Sequence, residues 1–510
     1  MLAKAISNAV LGIDGYLVEV EVDLAKGLPA FNIVGLPDVA VKEAKERVRS
    51  AIKNSGYSFP IKRITVNLAP ADIKKEGAAF DLPIAISILA ASGLIDNRVL
   101  SDYALIGELS LDGQIRGVKG VLSMALAAKG ASKKGFILPE ANSQEASVVE
   151  GLDVIPVKSL EETIDYLNGN LKIDAIKENY QLSTNQDYKI DFADVKGQEA
   201  AKRALEVAAA GGHNLIMIGP PGSGKTMLAK RLPTILPSLT KEEAIEVTKI
   251  FSIIGRLAKD KSLITSRPFR SPHHTTSDVG LIGGGRIPKP GEVSLAHHGV
   301  LFLDELPEFK KNVLEVLRQP LEEGMVSISR ALTTLDYPAK FMLIAAMNPC
   351  PCGYYGDIKQ ECGCTPRQIN RYLGKISGPL LDRIDIHLEV PCLEVEELTN
   401  YQKGQSSAII KKRVEEARKV QADRFKAEEI NCNVEMNSPM VEKYCIMNKD
   451  AFNLLEQAIT RLNLSARAYD RVLKLARTIA DLAGKEIISF EHIAEAVQYR
   501  SLDRKYIDLV

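Results

Sequence analysis

The sequence has no excess of charge of either sign: 65 Lys and Arg stand against 65 Asp and Glu. With no global surplus of cations to neutralise phosphates, the simplest kind of nucleic-acid coat protein is excluded, although a local basic pore is not. Long apolar runs are also missing. The longest, Leu82 to Ile95, is broken by Pro83, Ser87 and Ser92 and bounded by Asp81 and Asp96, too short to cross a bilayer. Lys4 is followed by an interrupted apolar stretch and then by the alternating segment Tyr16 to Val22, which predicts a strand and not a signal peptide. Seven cysteines in 510 residues cannot make a disulfide scaffold, and four of them crowd between Cys350 and Cys364. A reducing cytoplasm with one metal site fits that distribution. There is no repeat of fixed period and no low-complexity tail, so neither a solenoid nor a disordered regulatory arm is indicated. What remains is ordinary globular material, 45% hydrophobic and long enough for about three domains at ~100 to 200 residues each.

Residues 1–168 read as one α/β domain. Val41, Ala44, Val48 and Ile52 recur at helical spacing between Asp38, placed to cap, and Gly56, placed to stop. Ile64 to Leu68 is strand-like and Phe80 to Ala91 a buried helix. Leu105 to Leu111 and Gln114 to Val118 flank Asp112-Gly113, a hairpin signal. Residues 169–190 turn polar and lose their hydrophobic period, as a linker does. A second α/β pattern fills 191–392, with buried strands expected at Leu215 to Ile218, Val300 to Leu303 and Phe341 to Ala345. From 393 to 510 the pattern is helical, with Val414, Ala417, Gln421 and Phe425 on one face and Leu473, Ala476, Ile479, Ala480 and Ala483 on another.

The chemistry concentrates in the second region. Gly219-Pro220-Pro221-Gly222-Ser223-Gly224-Lys225-Thr226 follows an apolar strand and opens a helix, the context a phosphate-binding loop requires. Gly222 and Gly224 let backbone N–H groups turn toward phosphate oxygens, Lys225 supplies a charge and Thr226 a magnesium ligand. Val300-Leu-Phe-Leu-Asp304-Glu305 delivers two acids at a strand's C-terminal edge. Asp304 would hold magnesium and Glu305 would polarise the attacking water; alone, Asp304 could equally cap a helix. The 79 residues from Lys225 to Asp304 imply an insertion, with Arg267 to Thr276 and Gly280 to Arg286 expected as loops. Asn348 ends a third strand and could orient the water, or begin a turn with Pro349. Arg383 reads either as a surface ion pair with Asp382 or Asp385 or as an arginine finger reaching a neighbouring subunit.

Taken together, the phosphate loop, Asp304 and Glu305, Asn348, Arg383 and Leu464-Ser-Ala-Arg467 resemble an AAA+ ATPase of the magnesium-chelatase-like branch. Phe269 to His274, Gly280 to Gly285, His298 to Glu305 and Asn348 to Gly353 closely resemble the YifB/ComM family, over essentially the whole chain. The resemblance implies an AAA+ P-loop core with a helical C-terminal lid. It makes Asn348 sensor 1 and Arg467 sensor 2, and it turns Gly324 to Tyr337 into a hairpin facing a hexamer pore. In front, Thr65 to Asp72, Asp81-Leu-Pro, Gly107 to Gly113 and Ile137 to Asn142 are similar to the proteolytic domain of Lon, an α/β domain of ribosomal-protein-like fold. Lon-type cleavage needs a serine nucleophile and a lysine base. The serine's position here reads Gly77-Ala-Ala-Phe80 and the lysine's Leu122-Ser-Met124, so the domain is expected to be non-proteolytic. Ser123 with Lys119 is the one alternative dyad.

Cys350-Pro-Cys352 and Cys362-Gly-Cys364 offer four thiolates for tetrahedral zinc, or ordinary packing residues. Cys392, Cys432 and Cys445 are expected to pack. His273, His274, His297 and His298 are read as loop hydrogen-bonders whose adjacent rings diverge, and the basic stretch Lys411 to Arg424 as a solvated helix face alongside Glu415 and Glu416. The function expected is an ATP- and magnesium-dependent ring motor, hexameric and cytoplasmic. It would act on single-stranded or branched DNA as a branch-migration helicase in recombination or natural transformation, with no membrane partner. The rivals are a chelatase motor for metal insertion, a protease-associated ATPase and a nucleotide-switched scaffold.

Overall fold

The computed structural model describes residues 1–176, 188–258, 261–285, 288–330, 333–357, 360–393, 404–462 and 465–500. The chain forms two compact units. The first combines residues 1–182 with 241–265, and the second holds 183–240 and 266–510.

The first unit is built on a seven-stranded mixed sheet in the order Ala30–Val34, Arg63–Ala69, Asp14–Ala25, Leu2–Leu11, Tyr103–Leu105, Gly135–Pro139, Asp153–Val157. Strict alternation sets its faces. Val18, Val20, Val22 and Leu24 point into the core while the intervening acids point away, because side chains on a strand repeat every two residues. The apolar N-terminus is the strand Leu2–Leu11, paired antiparallel with Asp14–Ala25. The helix Val39–Asn54 starts at Asp38, whose carboxylate accepts the Val41 N–H at 2.8 Å. Asp81–Ala91 is apolar around its circumference and buried at every residue. Its one carboxylate, Asp81, is held by Arg47 at 2.6 and 3.0 Å. The Asp112-Gly113 turn joins the short pair Glu108–Leu109 and Ile115–Arg116. The second segment of this unit contributes the helix Lys241–Ile253. Lys249 pairs with Asp14 at 2.8 Å, and the Ser252 hydroxyl donates to the buried Glu145 carboxylate.

In the second unit five parallel strands lie in the order Phe269–Arg270, Val300–Leu303, Met342–Met347, Leu215–Ile218, Ile386–Glu389. All residues of the middle three strands are buried, as the continuous apolar runs require of a parallel sheet covered on both faces. The expected third strand, Phe341 to Ala345, is Met342–Met347, starting one residue later and ending two later than its apolar pattern indicated. The insertion after the phosphate loop is more ordered than its glycines and prolines implied. Phe269–Arg270 pairs with Val300–Leu301 at the sheet edge, and Asp278–Ile282 is a helical turn capped by Ser277. Arg286 lies outside the described residues, as do Leu464, half of the expected linker, 177–187, and residues 331–332 between the paired strands Met325–Arg330 and Thr333–Pro338.

The C-terminal helices Ser407–Arg424, Ala466–Leu482 and Phe490–Gln498 share the core of this unit with the sheet. The reading of Lys411 to Arg424 as a solvated face holds for Lys412, Glu415, Glu416 and Lys419, which are exposed, and is corrected for three arginines. Arg413 pairs with Glu206, Arg418 donates to the Ala209 carbonyl and Arg424 to Asp481. Long cationic side chains can lay their stems on apolar surface and carry the head to an internal acceptor. Ala483, expected on the buried face, is exposed just past its helix end.

Candidate nucleotide site

All five strands deliver their C-terminal ends to one edge, where parallel sheets place ligands. Register aligns Ile218 with Met347 and Leu303 with Ala345. Gly219 therefore leaves the sheet beside Asn348, its N–H on the Met347 carbonyl at 3.2 Å. A Cβ on Gly219 would lie 2.1 Å from the Val390 carbonyl oxygen, so only glycine passes there. Gly222 and Gly224 adopt φ of 79° and 87°, the left-handed turns that aim N–H groups into an anion-binding concavity.

Lys225 is buried at the head of the helix Lys225–Arg231. Its ammonium donates to the Gly219 and Pro220 carbonyls at 2.8 Å each, to Ser223 Oγ at 3.2 Å and to Asn348 Oδ1 at 3.4 Å. Burial lowers its pKa, and the Asp304 charge opposes that shift. The Thr226 hydroxyl donates to Asp304 Oδ2 at 2.7 Å. A hydroxyl and a carboxylate oxygen converging beside a phosphate-binding loop form a hard-oxygen donor set that fits magnesium.

Glu305 stands at φ 52° with its side chain 58% exposed. A left-handed non-glycine backbone costs of order 1–3 kcal/mol, and here it turns the carboxylate out of the sheet edge. Glu305 Oε2 lies 3.2 Å from His274 Nδ1. The sequence reading did not connect these two residues. The His-His pair in Arg267 to Thr276 was the available signal, but its rings, expected to diverge, lie 4.1 Å apart; those of His297 and His298 lie 4.0 Å apart. Gln198 was missed altogether. Its amide donates to the Pro391 carbonyl at 2.9 Å and reaches the Ser223 carbonyl of the loop at 3.4 Å. Tyr372 was missed as well. Burial pushes its pKa up, and the nearby Asn348 backbone N–H opposes that shift.

Arg383 is 6% exposed and pairs with Glu322, donating also to the Pro379 carbonyl. The surface pair expected with Asp382 or Asp385 is replaced because Asp385 is engaged inside the fold. Asp385 accepts the Asn214 N–H at 3.0 Å and faces His213 and Arg471, each at 3.6 Å. Burial would raise its pKa; His213 and Arg471 overcome this and hold the carboxylate well below its usual range. The Asn214 side chain ties the Arg383 carbonyl, at 3.0 Å, to the Leu343 N–H, at 2.8 Å. Arg467 is exposed in the first turn of the helix Ala466–Leu482. In the first unit, Ser123 is 1% exposed and its hydroxyl donates to the Ile13 carbonyl at 2.6 Å.

Comparisons with known proteins agree with this geometry. Family profiles described as magnesium chelatase, subunit ChlI, match residues 191–398; a ChlI-subunit profile matches 20–142, and a ChlI C-terminal profile matches 404–500. The chain is 48% identical over 509 residues to the competence protein ComM of Haemophilus influenzae, covering 99% of this chain and 98% of that protein. It is 46% identical over 504 residues to the uncharacterized protein YifB of Escherichia coli, again over 99% and 98%. An archaeal Lon protease of Methanocaldococcus jannaschii is 26% identical over 149 residues, 29% of this chain and 22% of that protein. On profiles and full-length identity alike, the chain belongs to the YifB/ComM family of magnesium-chelatase-like AAA+ ATPases.

Proposed function

We propose that the chain is an ATP-hydrolysing motor that assembles as a ring, a hexamer, in the cytoplasm and drives branch migration of DNA. The observation that carries the reading is the convergence of Lys225, the Thr226–Asp304 pair, Glu305 and Asn348 on one sheet edge. Lys225 would release its loop carbonyls to meet the β and γ phosphates. Thr226 and Asp304 would hold magnesium, which when bound neutralises charge on the phosphate oxygens. Glu305, turned outward and oriented by His274, would accept a proton from the attacking water, with Asn348 fixing that water's position. Arg467 would contact the nucleotide from the helical region. Arg383 would act on the neighbouring subunit's nucleotide, exchanging Glu322 for phosphate on ring closure. The four cysteines would carry zinc as a structural third cofactor.

The DNA substrate is supported by the name of the competence relative and by full-length similarity to it. Peptide hydrolysis is not part of the proposal, since Ser123 is buried and its proton is committed to a backbone carbonyl. The deciding experiment measures ATP turnover with forked DNA, duplex DNA, porphyrin with magnesium, and unfolded casein. Stimulation by forked DNA and strand exchange on a three-strand substrate are expected. Stimulation by porphyrin alone would move the function to metal insertion.

A further inference from the structure

The four cysteines come together in space as well as in sequence. Cys350 and Cys352 follow the strand that ends at Met347, and Cys362 and Cys364 immediately precede the helix Pro366–Leu373, capped by Thr365. The sulfur of Cys350 lies 3.3 Å from that of Cys352 and 3.7 Å from that of Cys362, and Cys352 and Cys362 are 3.6 Å apart. All four sulfurs fall within 4.8 Å of one another, and all four residues are free thiols. A tetrahedral site with Zn–S bonds of ~2.3 Å has sulfur–sulfur edges of about 3.8 Å. The spacing leaves room for one ion and not for a cluster of several.

The second observation lies in the backbone. Two of the four sulfurs, one from each Cys-x-Cys pair, accept a main-chain N–H: Cys350 from Gly353 at 3.2 Å and Cys362 from Cys364 at 3.4 Å. Neutral thiols are weak acceptors, and ordinary packing gives no reason to aim a donor at one sulfur of each pair. Main-chain donors aimed at Cys350 and Cys362 are the surroundings that orient and stabilise metal-bound thiolates.

The position of this knot gives it a consequence. Cys350 is fully buried two residues after Asn348. Gly353, at φ 91°, packs so tightly on the phosphate loop that a Cβ there would lie 2.5 Å from Pro221 Cδ. The helix that follows Cys364 carries the buried Tyr372, whose hydroxyl lies near the Asn348 backbone N–H. We infer that Cys350, Cys352, Cys362 and Cys364 bind one zinc ion whose coordination clamps the Asn348 strand end against the phosphate loop, making nucleotide affinity depend on the metal. The metal assignment stands alone, and the effect on nucleotide rests on the ATPase reading above. Zinc entry converts the thiols to thiolates and releases up to about four protons to solvent.

The test uses the full chain purified without chelator. Elemental analysis should find about one zinc per chain, as one four-thiolate site demands. The same content is expected in Lys225→Ala, which removes the nucleotide ligand and leaves the knot alone. Stripping zinc from the wild type with a strong chelator should weaken binding of a fluorescent ATP analogue several-fold, with recovery on adding zinc and none on adding magnesium. Cys362→Ser should lose zinc and lower affinity, and Cys362→His, which restores a ligand, should regain both in part. Wild type that carries no zinc, carries iron in its place, or binds the analogue equally well after stripping would overturn the inference. Those results would leave the ATPase proposal intact. Zinc-loaded wild type that binds no ATP would instead defeat the ATPase proposal and keep the metal site.

Discussion

Replacing Asp385 with Asn removes one negative charge from the interior and little volume. Asp385 is 3% exposed and faces the Arg471 guanidinium at 3.6 Å. At an effective dielectric of ~20, that separation corresponds to a Coulomb energy of about 4.6 kcal/mol. Breaking a buried pair by neutralising one member costs about 3–5 kcal/mol, because the remaining charge stays in the fold uncompensated. A loss of about 3 kcal/mol is therefore expected in Asp385→Asn. At roughly 2 °C per kcal/mol for a unit of this size, the unfolding transition of the second unit should fall by about 6 °C. The assay is differential scanning calorimetry with the transitions of the two units separated, since a chain of two units has no single unfolding free energy. The pH dependence follows from the direction of the shift. A depressed carboxyl gives stabilisation that is complete above its unfolded pKa, near ~3.9. That stabilisation fades as pH falls from there toward the folded value, because the unfolded chain then binds more protons. Wild type and Asp385→Asn should accordingly converge as pH drops below ~4. A variant within about 0.5 kcal/mol of wild type at pH 7, the range of an ordinary surface change, would refute the argument.

Three further outcomes are expected. Lys225→Ala should abolish ATP binding, while Glu305→Gln should keep binding and lose turnover by at least ~100-fold, the typical contribution of a positioned base; equal affinity in wild type and Lys225→Ala, by calorimetry, would contradict the site. Mixing Arg383→Ala with Glu305→Gln subunits should recover turnover at interfaces that pair an intact Arg383 with an intact Glu305, and mixtures as inactive as either parent would remove the cross-subunit role. Ser123→Ala should leave casein undegraded, as in wild type; ATP-dependent degradation that vanishes on this substitution would reinstate a peptidase.

Regular periods made much of the fold readable in advance. The alternation at Tyr16 to Val22, the capped face of Val39–Asn54 and the three apolar runs of the parallel sheet each pair one pattern with one environment. The phosphate loop and the acidic pair were equally legible, because their chemistry needs fixed residues at fixed spacing. Contacts made across long stretches of chain were not. His274 meets Glu305, and Arg383 meets Glu322 rather than a sequence neighbour, through the sheet order. Local spacing is blind to that order. The insertion misled for a related reason: glycines that read as loop serve close approaches, such as Gly283 against the Lys289 carbonyl, where a Cβ would lie 2.4 Å away.

The membership of residues 241–265 in the first unit means that this unit is not a cassette. Its polypeptide is written in two instalments, with residues 183–240 between them. During synthesis the Glu145 carboxylate must wait for Ser252, 107 positions later, before its buried oxygen has that partner. The first unit can therefore be completed only after the phosphate-loop helix of the second has already been made. A fragment cut at the polar stretch near residue 180 would lack the helix that supplies Lys249 to Asp14 and Ser252 to Glu145. Transplanting the N-terminal unit onto another motor would need the later segment grafted with it, so the two units are constrained to be inherited together.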